Sequence, residues 1–320
     1  MFDDFLNQIY EFGLVPVIAI QDVSDAVPLA RALFEGGVLT AEITFRTPAG
    51  EKAIEEISRK VPEMLVGAGT VTNVSRAERA VDAGARYIVT PGFNPEVVSW
   101  CVDHEIPVLP GTATPSEIES AMNLGLTAVK FFPAEVNGGV RALKALEGPY
   151  AQMRFVPTGG IGPSNMLDYL SRSNVLAVGG SWMVPSSMIL QRNFKEVTEL
   201  CELSVMKMHS FELAHVGINC NGDAEALEVA DTLGEMFGVP VSDKGGGYFA
   251  GDIADVVKGN LLGSKGHIGI DCTNVDRAKA WFERRGYSFV EKGSDRDERG
   301  YTTVFFEHEV GGFAIHLRRK

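Results

Sequence analysis

The sequence predicts an α/β protein: a (β/α)₈ barrel over residues 1–207, then a smaller α+β domain of two βαβββ modules over residues 208–320. Three observations carry this. Short apolar runs recur roughly every twenty to twenty-five residues up to about residue 180, with helical patterns between them, the rhythm of βα units. One such run contains a lysine, Lys130. After residue 207 the texture changes, and His215-Val216-Gly217-Ile218-Asn219-Cys220 is echoed by His267-Ile268-Gly269-Ile270-Asp271-Cys272.

The predicted barrel strands are residues 15–20, 39–45, 65–71, 87–90, 108–111, 128–132, 154–157 and 175–178. Ser24 and Ser75 are candidate caps for helices closing at Gly36-Gly37 and near Gly84. Asn94-Pro95 and Thr114-Pro115 each place a capping residue before a proline at the first helical position, and Thr114 with Glu117 forms a capping box. An open doubly wound sheet is the alternative, but no strand leads into a Gly-x-Gly-x-x-Gly turn.

In a barrel, chemistry belongs at the C-terminal strand ends. Along the second strand Ala41, Ile43 and Phe45 share one face, while Glu42, Thr44 and Arg46 share the other. If the apolar set meets the outer helices, Glu42 and Arg46 point into the barrel; a rim ion pair is the plainer reading. Lys130 lies in the run Ala128-Val129-Lys130-Phe131-Phe132-Pro133-Ala134. A core strand has little use for an ammonium, because burying an unpaired charge costs several kcal/mol. The lysine either snorkels to water or serves as an amine nucleophile. Gly67-Ala68-Gly69-Thr70 clears space and offers a hydroxyl. Glycine pairs follow the last two strands, in Pro157-Thr158-Gly159-Gly160 and Val178-Gly179-Gly180-Ser181. The glycines either merely make tight turns or, as the pair at adjacent barrel positions favours, expose backbone N–H groups that with a following helix N-terminus would form a phosphate cradle.

These motifs, with Pro91-Gly92, Lys130-Phe131-Phe132-Pro133-Ala134-Glu135, Asn137-Gly138-Gly139 and Gly179-Gly180-Ser181-Trp182, resemble the 2-keto-3-deoxy-6-phosphogluconate / 4-hydroxy-2-oxoglutarate aldolase family of class I aldolases, in family order over about residues 5–205. The resemblance implies Lys130 as the Schiff-base lysine and Glu42 as the acid/base. It implies Arg46 and Thr70, with Pro91, Phe132 and Thr158, around the pyruvate end, and Gly159, Gly160, Gly179, Gly180 and Ser181 around phosphate. It implies cleavage of a 2-keto-4-hydroxy acid to pyruvate and an aldehyde, no metal or organic cofactor in the barrel, and a homotrimer. Two other functions remain in view. A phosphate-binding isomerase or epimerase would share the glycine cradle but not need Lys130. An inactive barrel could carry a regulatory, ligand-binding tail; an active barrel with a sensory or scaffolding tail would make the protein multifunctional.

Each half of the repeat leads into an amphipathic helix, residues 224–237 and 275–285, and the second continues into strands at 287–291, 301–307 and 313–318. Two such modules resemble the vicinal-oxygen-chelate (glyoxalase/bleomycin-resistance) superfamily, which implies a metal site at His215, Asp255, His267 and His316. His316 stands where that superfamily more often has a glutamate. A metal-free binding or assembly domain is the alternative.

Composition limits the partners. The net charge of −13 disfavours nucleic acid and anionic membranes and leaves an anionic small molecule dependent on a local site. The 4 cysteines include no C-x-x-C pair, as expected of reduced thiols in a cytosol. The start, Met1-Phe2-Asp3-Asp4, lacks a basic leader, and no apolar run is long enough to span a bilayer. A cytoplasmic location is the expectation.

Overall fold

The computed structural model describes residues 2–259 and 262–320, which divide into two compact units, Met1–Met208 and His209–Lys320.

In the first unit the strands are β1 (Leu14–Ile18), β2 (Thr40–Thr44), β3 (Leu65–Gly69), β4 (Tyr87–Val89), β5 (Val108–Leu109), β6 (Gly111–Thr112), β7 (Ala128–Phe131), β8 (Arg154–Pro157) and β9 (Val178–Gly180). One sheet runs β5-β4-β3-β2-β1-β9, and a second runs β6-β7-β8. All pairs are parallel. β5 and β6 are halves of the predicted fifth strand, parted at Pro110, whose missing N–H cannot extend the ladder. Between β8 and β9 a single parallel bridge, Thr158 to Gly179, joins the curled sheets. The pairing order therefore returns to its start, as in an α/β barrel. Parallel strands covered on both faces need apolar residues at nearly every position, and β2, β3 and β7 are buried throughout.

Local chemistry sets the helix ends. Asn94 accepts from the N–H groups of Glu96 and Val97 ahead of Pro95, and Thr114 and Glu117 form the expected capping box. Two expected caps differ. Asn73, not Ser75, caps the helix Val74–Asp82, since its side chain already reaches the Arg76 N–H. Asp22 accepts from the Ser24 N–H and starts a 3₁₀ turn before the helix at Ala26. The eighth strand lies later than residues 175–178, because Val175 makes only a lone bridge to Phe155. Beneath the ring, the helix Asp3–Phe12 packs Phe5 and Ile9 onto Tyr87, Leu109, Ala128 and Val156, and this layer fills the lower barrel.

The second unit is one sheet of eight strands. Its elements are β10 (Glu212–Asn219), α1 (Asp223–Phe237), β11 (Val241–Asp243), β12 (Gly247–Ala250), β13 (Ala254–Val257), β14 (Gly266–Cys272), α2 (Val275–Glu283), β15 (Phe289–Asp297), β16 (Gly300–Phe306) and β17 (Phe313–Arg319). The order strand, helix, three strands occurs twice. The sheet order β11-β12-β13-β10-β14-β17-β16-β15 makes the two repeats near mirror halves about the β10–β14 pair. The echoed His-x-Gly segments are those two central strands, antiparallel, with Gly217 opposite His267 and His215 opposite Gly269.

Candidate active site

Lys130 sits in β7 and is buried, at 5% exposure; Glu42, in β2 across the ring, is buried at 3%. The ammonium donates to both carboxylate oxygens, 3.1 Å to Oε1 and 3.3 Å to Oε2. Neither strand could bear its charge alone at this depth, and breaking a buried pair typically costs about 3–5 kcal/mol. A side chain at Gly69 would collide with the Glu42 carboxylate, so the small residues of β3 are what admit the glutamate to the interior.

Around the pair lies a cavity of about 410 Å³ lined by Arg46, Thr70, Pro91, Phe132, Thr158, Gly159, Gly160, Gly180 and Ser181, together with Lys130 and Glu42. The Phe132 ring centroid is 5.2 Å from Lys130 Nζ, within cation–π range. Arg46 Nε donates to Thr44 Oγ1 at 3.2 Å, and Thr44 in turn donates to the Ile18 carbonyl at 2.8 Å, so neighbouring strands hold the start of the arginine. Thr70 has φ +59°, a left-handed backbone that a β-branched residue rarely adopts. Such strain collects at functional sites.

Every site residue read from the barrel sequence lies in this lining except Gly179. It belongs to β9, and a side chain there would strike the Thr158 hydroxyl. Its role is to let β8 and β9 approach. Val17, Ala19, Ile161, Val184 and Ser186 also line the cavity and were not anticipated. Ser186 follows Pro185 just beyond the second glycine turn, where a hydroxyl near a phosphate cradle is the available signal. The expected helix after β8 begins only at Met166 and has 5 residues. Anion binding there would therefore fall to the turn's own N–H groups. Gly159 (φ +100°) and Gly160 (φ +79°) take up backbone angles that exclude side chains. A second hollow, about 450 Å³, opens under the first helix beside Asp3, Asp4 and Arg86; it holds no amine nucleophile.

In the second unit His215, His267 and His316 come together, all buried, with candidate ligand atoms within 4.8 Å of one another. His215 Nε2 is 3.2 Å from His267 Nε2 and 3.3 Å from His316 Nε2. Asp255 Oδ2 lies 3.5 Å from His267 Nε2. Side chains at Gly217 and Gly269 would occupy the space of these rings, which explains why each echo reads His-x-Gly. The three Nδ1 atoms are buried without hydrogen-bond partners. Burial, then neighbouring imidazoles, lowers the His316 pKa to about 3, and burial lowers that of His215. Three converging lone pairs beside a carboxylate are a donor set suited to a divalent first-row metal.

A ring of parallel strands enclosing one amine, salt-bridged to a carboxylate and facing a cavity with an arginine and glycine turns, defines a barrel enzyme built for amine nucleophilic chemistry. Comparison with known proteins narrows the class. A family profile described as KDPG and KHG aldolase matches residues 6–200. A 2-dehydro-3-deoxy-phosphogluconate aldolase of Treponema pallidum is 48% identical over 189 residues, 59% of this chain and 90% of that one. A KHG/KDPG aldolase of Escherichia coli K12 is 44% identical over 192 residues, 60% and 90% of the two chains. The crystal structure of a KDPG aldolase from Legionella pneumophila, with pyruvate captured at low pH as a covalent carbinolamine intermediate, aligns with a TM-score of 0.61 at 41% identity, covering 62% of this chain and 97% of that one. The chain belongs to the KDPG and KHG aldolase family.

Proposed function

We infer that the protein is a class I aldolase, an aldehyde-lyase that reversibly cleaves a 2-keto-4-hydroxy acid to pyruvate and an aldehyde through a Schiff base on Lys130. The observation that carries the assignment to Lys130 is its burial beside Glu42 in the lining of the cavity. Attack on the ketone requires the neutral amine, and Glu42, at 3.1 Å, is placed to take its proton. The carbinolamine then loses water with Glu42 returning a proton to the departing hydroxyl. The protonated imine draws the electrons of the breaking C3–C4 bond, while Glu42 accepts the C4 hydroxyl proton as the aldehyde leaves. Arg46 suits the planar substrate carboxylate because its guanidinium can bind bidentately. Thr70, Thr158, Pro91 and Phe132 shape that end of the cavity.

The turns Gly159-Gly160 and Gly180-Ser181 favour a phosphorylated substrate, 2-keto-3-deoxy-6-phosphogluconate, with glyceraldehyde 3-phosphate as the second product, over 4-hydroxy-2-oxoglutarate and glyoxylate. An isomerase reading leaves the buried amine without a task. The test is kcat/KM for pyruvate release from both substrates. Preference for the phosphorylated acid is expected; equal or reversed preference would remove the phosphate assignment.

The second unit, residues 208–320, is proposed to be a separate domain of the vicinal-oxygen-chelate type. His215, His267 and His316, with Asp255 beside them, would hold a divalent ion, which would supply Lewis-acid polarisation of a bound oxygen. Elemental analysis of gently purified protein tests this: about one equivalent of metal is expected, and none would end the idea. No helix among the described residues is long and apolar enough to cross a membrane. A homotrimeric assembly is proposed from the family resemblance and a cytoplasmic location from the scattered cysteines; sedimentation of the full chain tests the trimer.

A further inference from the structure

Behind the first glycine turn, outside the cavity lining, stands a carboxylate with no role in the chemistry above. Glu135 follows β7, and its backbone N–H donates to the Gly159 carbonyl at 3.1 Å, next to the bond from Ala134 N–H to the Thr158 carbonyl at 2.8 Å. The side chain then passes directly under Gly160. A Cβ on Gly160 would lie 2.6 Å from Glu135 Cγ and 2.7 Å from its Cβ, so the turn rests on the methylenes of this one glutamate. From the other side Asn165 braces the same turn, its Nδ2 donating to the Gly160 carbonyl at 3.1 Å.

The Glu135 carboxylate ends on the hydroxyl of Tyr169, which donates a short hydrogen bond to Oε1. Tyr169 is fully buried. Gly139, at φ +58°, leaves room for the meeting: a Cβ there would come 3.0 Å from the tyrosine oxygen and 3.1 Å from the glutamate oxygen. Among the described residues no lysine, arginine or histidine pairs with Glu135. Glu135 is exposed to solvent, so its carboxylate stays charged beside the turn whose N–H groups are assigned to an anion, and the Tyr169 hydroxyl is the side-chain group that tethers it.

We propose that Tyr169 and Glu135 are positioning residues that set the enzyme's affinity for the phosphate end of its substrate: Tyr169 tethers the Glu135 carboxylate away from the Gly159–Gly160 turn, while the glutamate's stem supports that turn. This rests on the phosphate reading given above. Loss of the tether frees a carboxylate to swing toward the phosphate, where like charges repel. Among the described residues, neither the Tyr169 hydroxyl nor the Glu135 carboxylate hydrogen-bonds Lys130, Glu42 or Arg46.

The test uses the full chain and two substrates differing only in phosphate, 2-keto-3-deoxy-6-phosphogluconate and 2-keto-3-deoxygluconate. Tyr169→Phe is expected to raise KM for the phosphorylated acid by about fivefold or more. On the unphosphorylated acid, kcat and KM should stay within about twofold of wild type. The KM increase should shrink at high salt. Adding Glu135→Gln to Tyr169→Phe should restore KM toward wild type, because the stem stays and the charge goes. Were Tyr169→Phe insoluble, Glu135→Asp, whose shorter side chain leaves the phenol, should show the same substrate-selective increase. An equal loss on both substrates would overturn the proposal, and so would a double variant no better than Tyr169→Phe. Wild-type enzyme that does not distinguish the two substrates would overturn the phosphate reading and this proposal together, whereas wild-type discrimination untouched by Tyr169→Phe overturns this proposal alone.

Discussion

Both units bury ionisable side chains on strands, and they satisfy them in opposite ways. Inside the barrel, Lys130 and Glu42 arrive from β7 and β2 with opposite charges and compensate one another at 3.1 Å. In the second unit three imidazoles converge on one point, with the Asp255 carboxylate 3.5 Å from His267, and burial keeps His215 and His316 toward the neutral form. The first arrangement is electrically complete. The second is a set of lone pairs whose natural complement is a cation.

The largest expected effect separates the two arrangements at once. Lys130→Ala should lower aldol cleavage by about 10³-fold or more. It should also destabilise the barrel by about 3–5 kcal/mol, because Glu42 is left buried without its partner; denaturant unfolding measures this. Metal content per chain should not change, and a fall in it would show that the two sites are not independent. Glu42→Gln is expected to reduce kcat by about 10² or more, and near-normal turnover would take Glu42 out of the proton-transfer role. In the other unit, His215→Ala should abolish stoichiometric metal while leaving aldolase kcat within about twofold. Retained metal would mean that these histidines are not the ligands.

A smaller effect concerns acid. His209 is buried with neither ring nitrogen hydrogen-bonded; burial first, then Arg277, Arg284 and Arg285, lower its pKa to about 3. A histidine near 6.5 in the unfolded chain takes up its proton there before it can in the folded protein. Its contribution to stability is therefore present above pH 6.5 and is lost as pH falls toward 3. Between pH 7 and pH 4 the second unit should lose about 3 kcal/mol from this group. Trp281, whose ring centroid is 5.1 Å from that of His209, is a local probe, and His209→Phe should flatten the dependence. A pH-independent unfolding midpoint for Trp281 fluorescence would contradict the assignment.

Much of the barrel site was legible because its residues violate local pattern. The lysine inside Ala128–Phe131 stands out against its apolar run, whereas Glu42, in the mixed sequence of β2, reads equally as half of a rim ion pair until the family resemblance assigns it. The His-x-Gly echo was readable from the repeat itself, and the structure supplies its cause in the cross-strand room that Gly217 and Gly269 leave for imidazole rings. What sequence patterning missed depends on three-dimensional approach or backbone angle. The left-handed Thr70 has no signature in a run of small residues. Gly179 looks like part of an anion-binding pair, yet it packs on Thr158. The helix after β8 starts late and makes one turn, a delay that the apolar pattern does not encode. The pairing of Glu135 with Tyr169 joins residues 34 apart, and neither is out of place where it stands.

Reduction of the enzyme with borohydride in the presence of pyruvate, followed by peptide mass mapping, decides whether Lys130 carries the Schiff base. One reduced pyruvate adduct is expected, on the peptide containing Lys130, with loss of activity in proportion to labelling. An unmodified Lys130 peptide, with the adduct on another lysine or absent while pyruvate release continues, would contradict it.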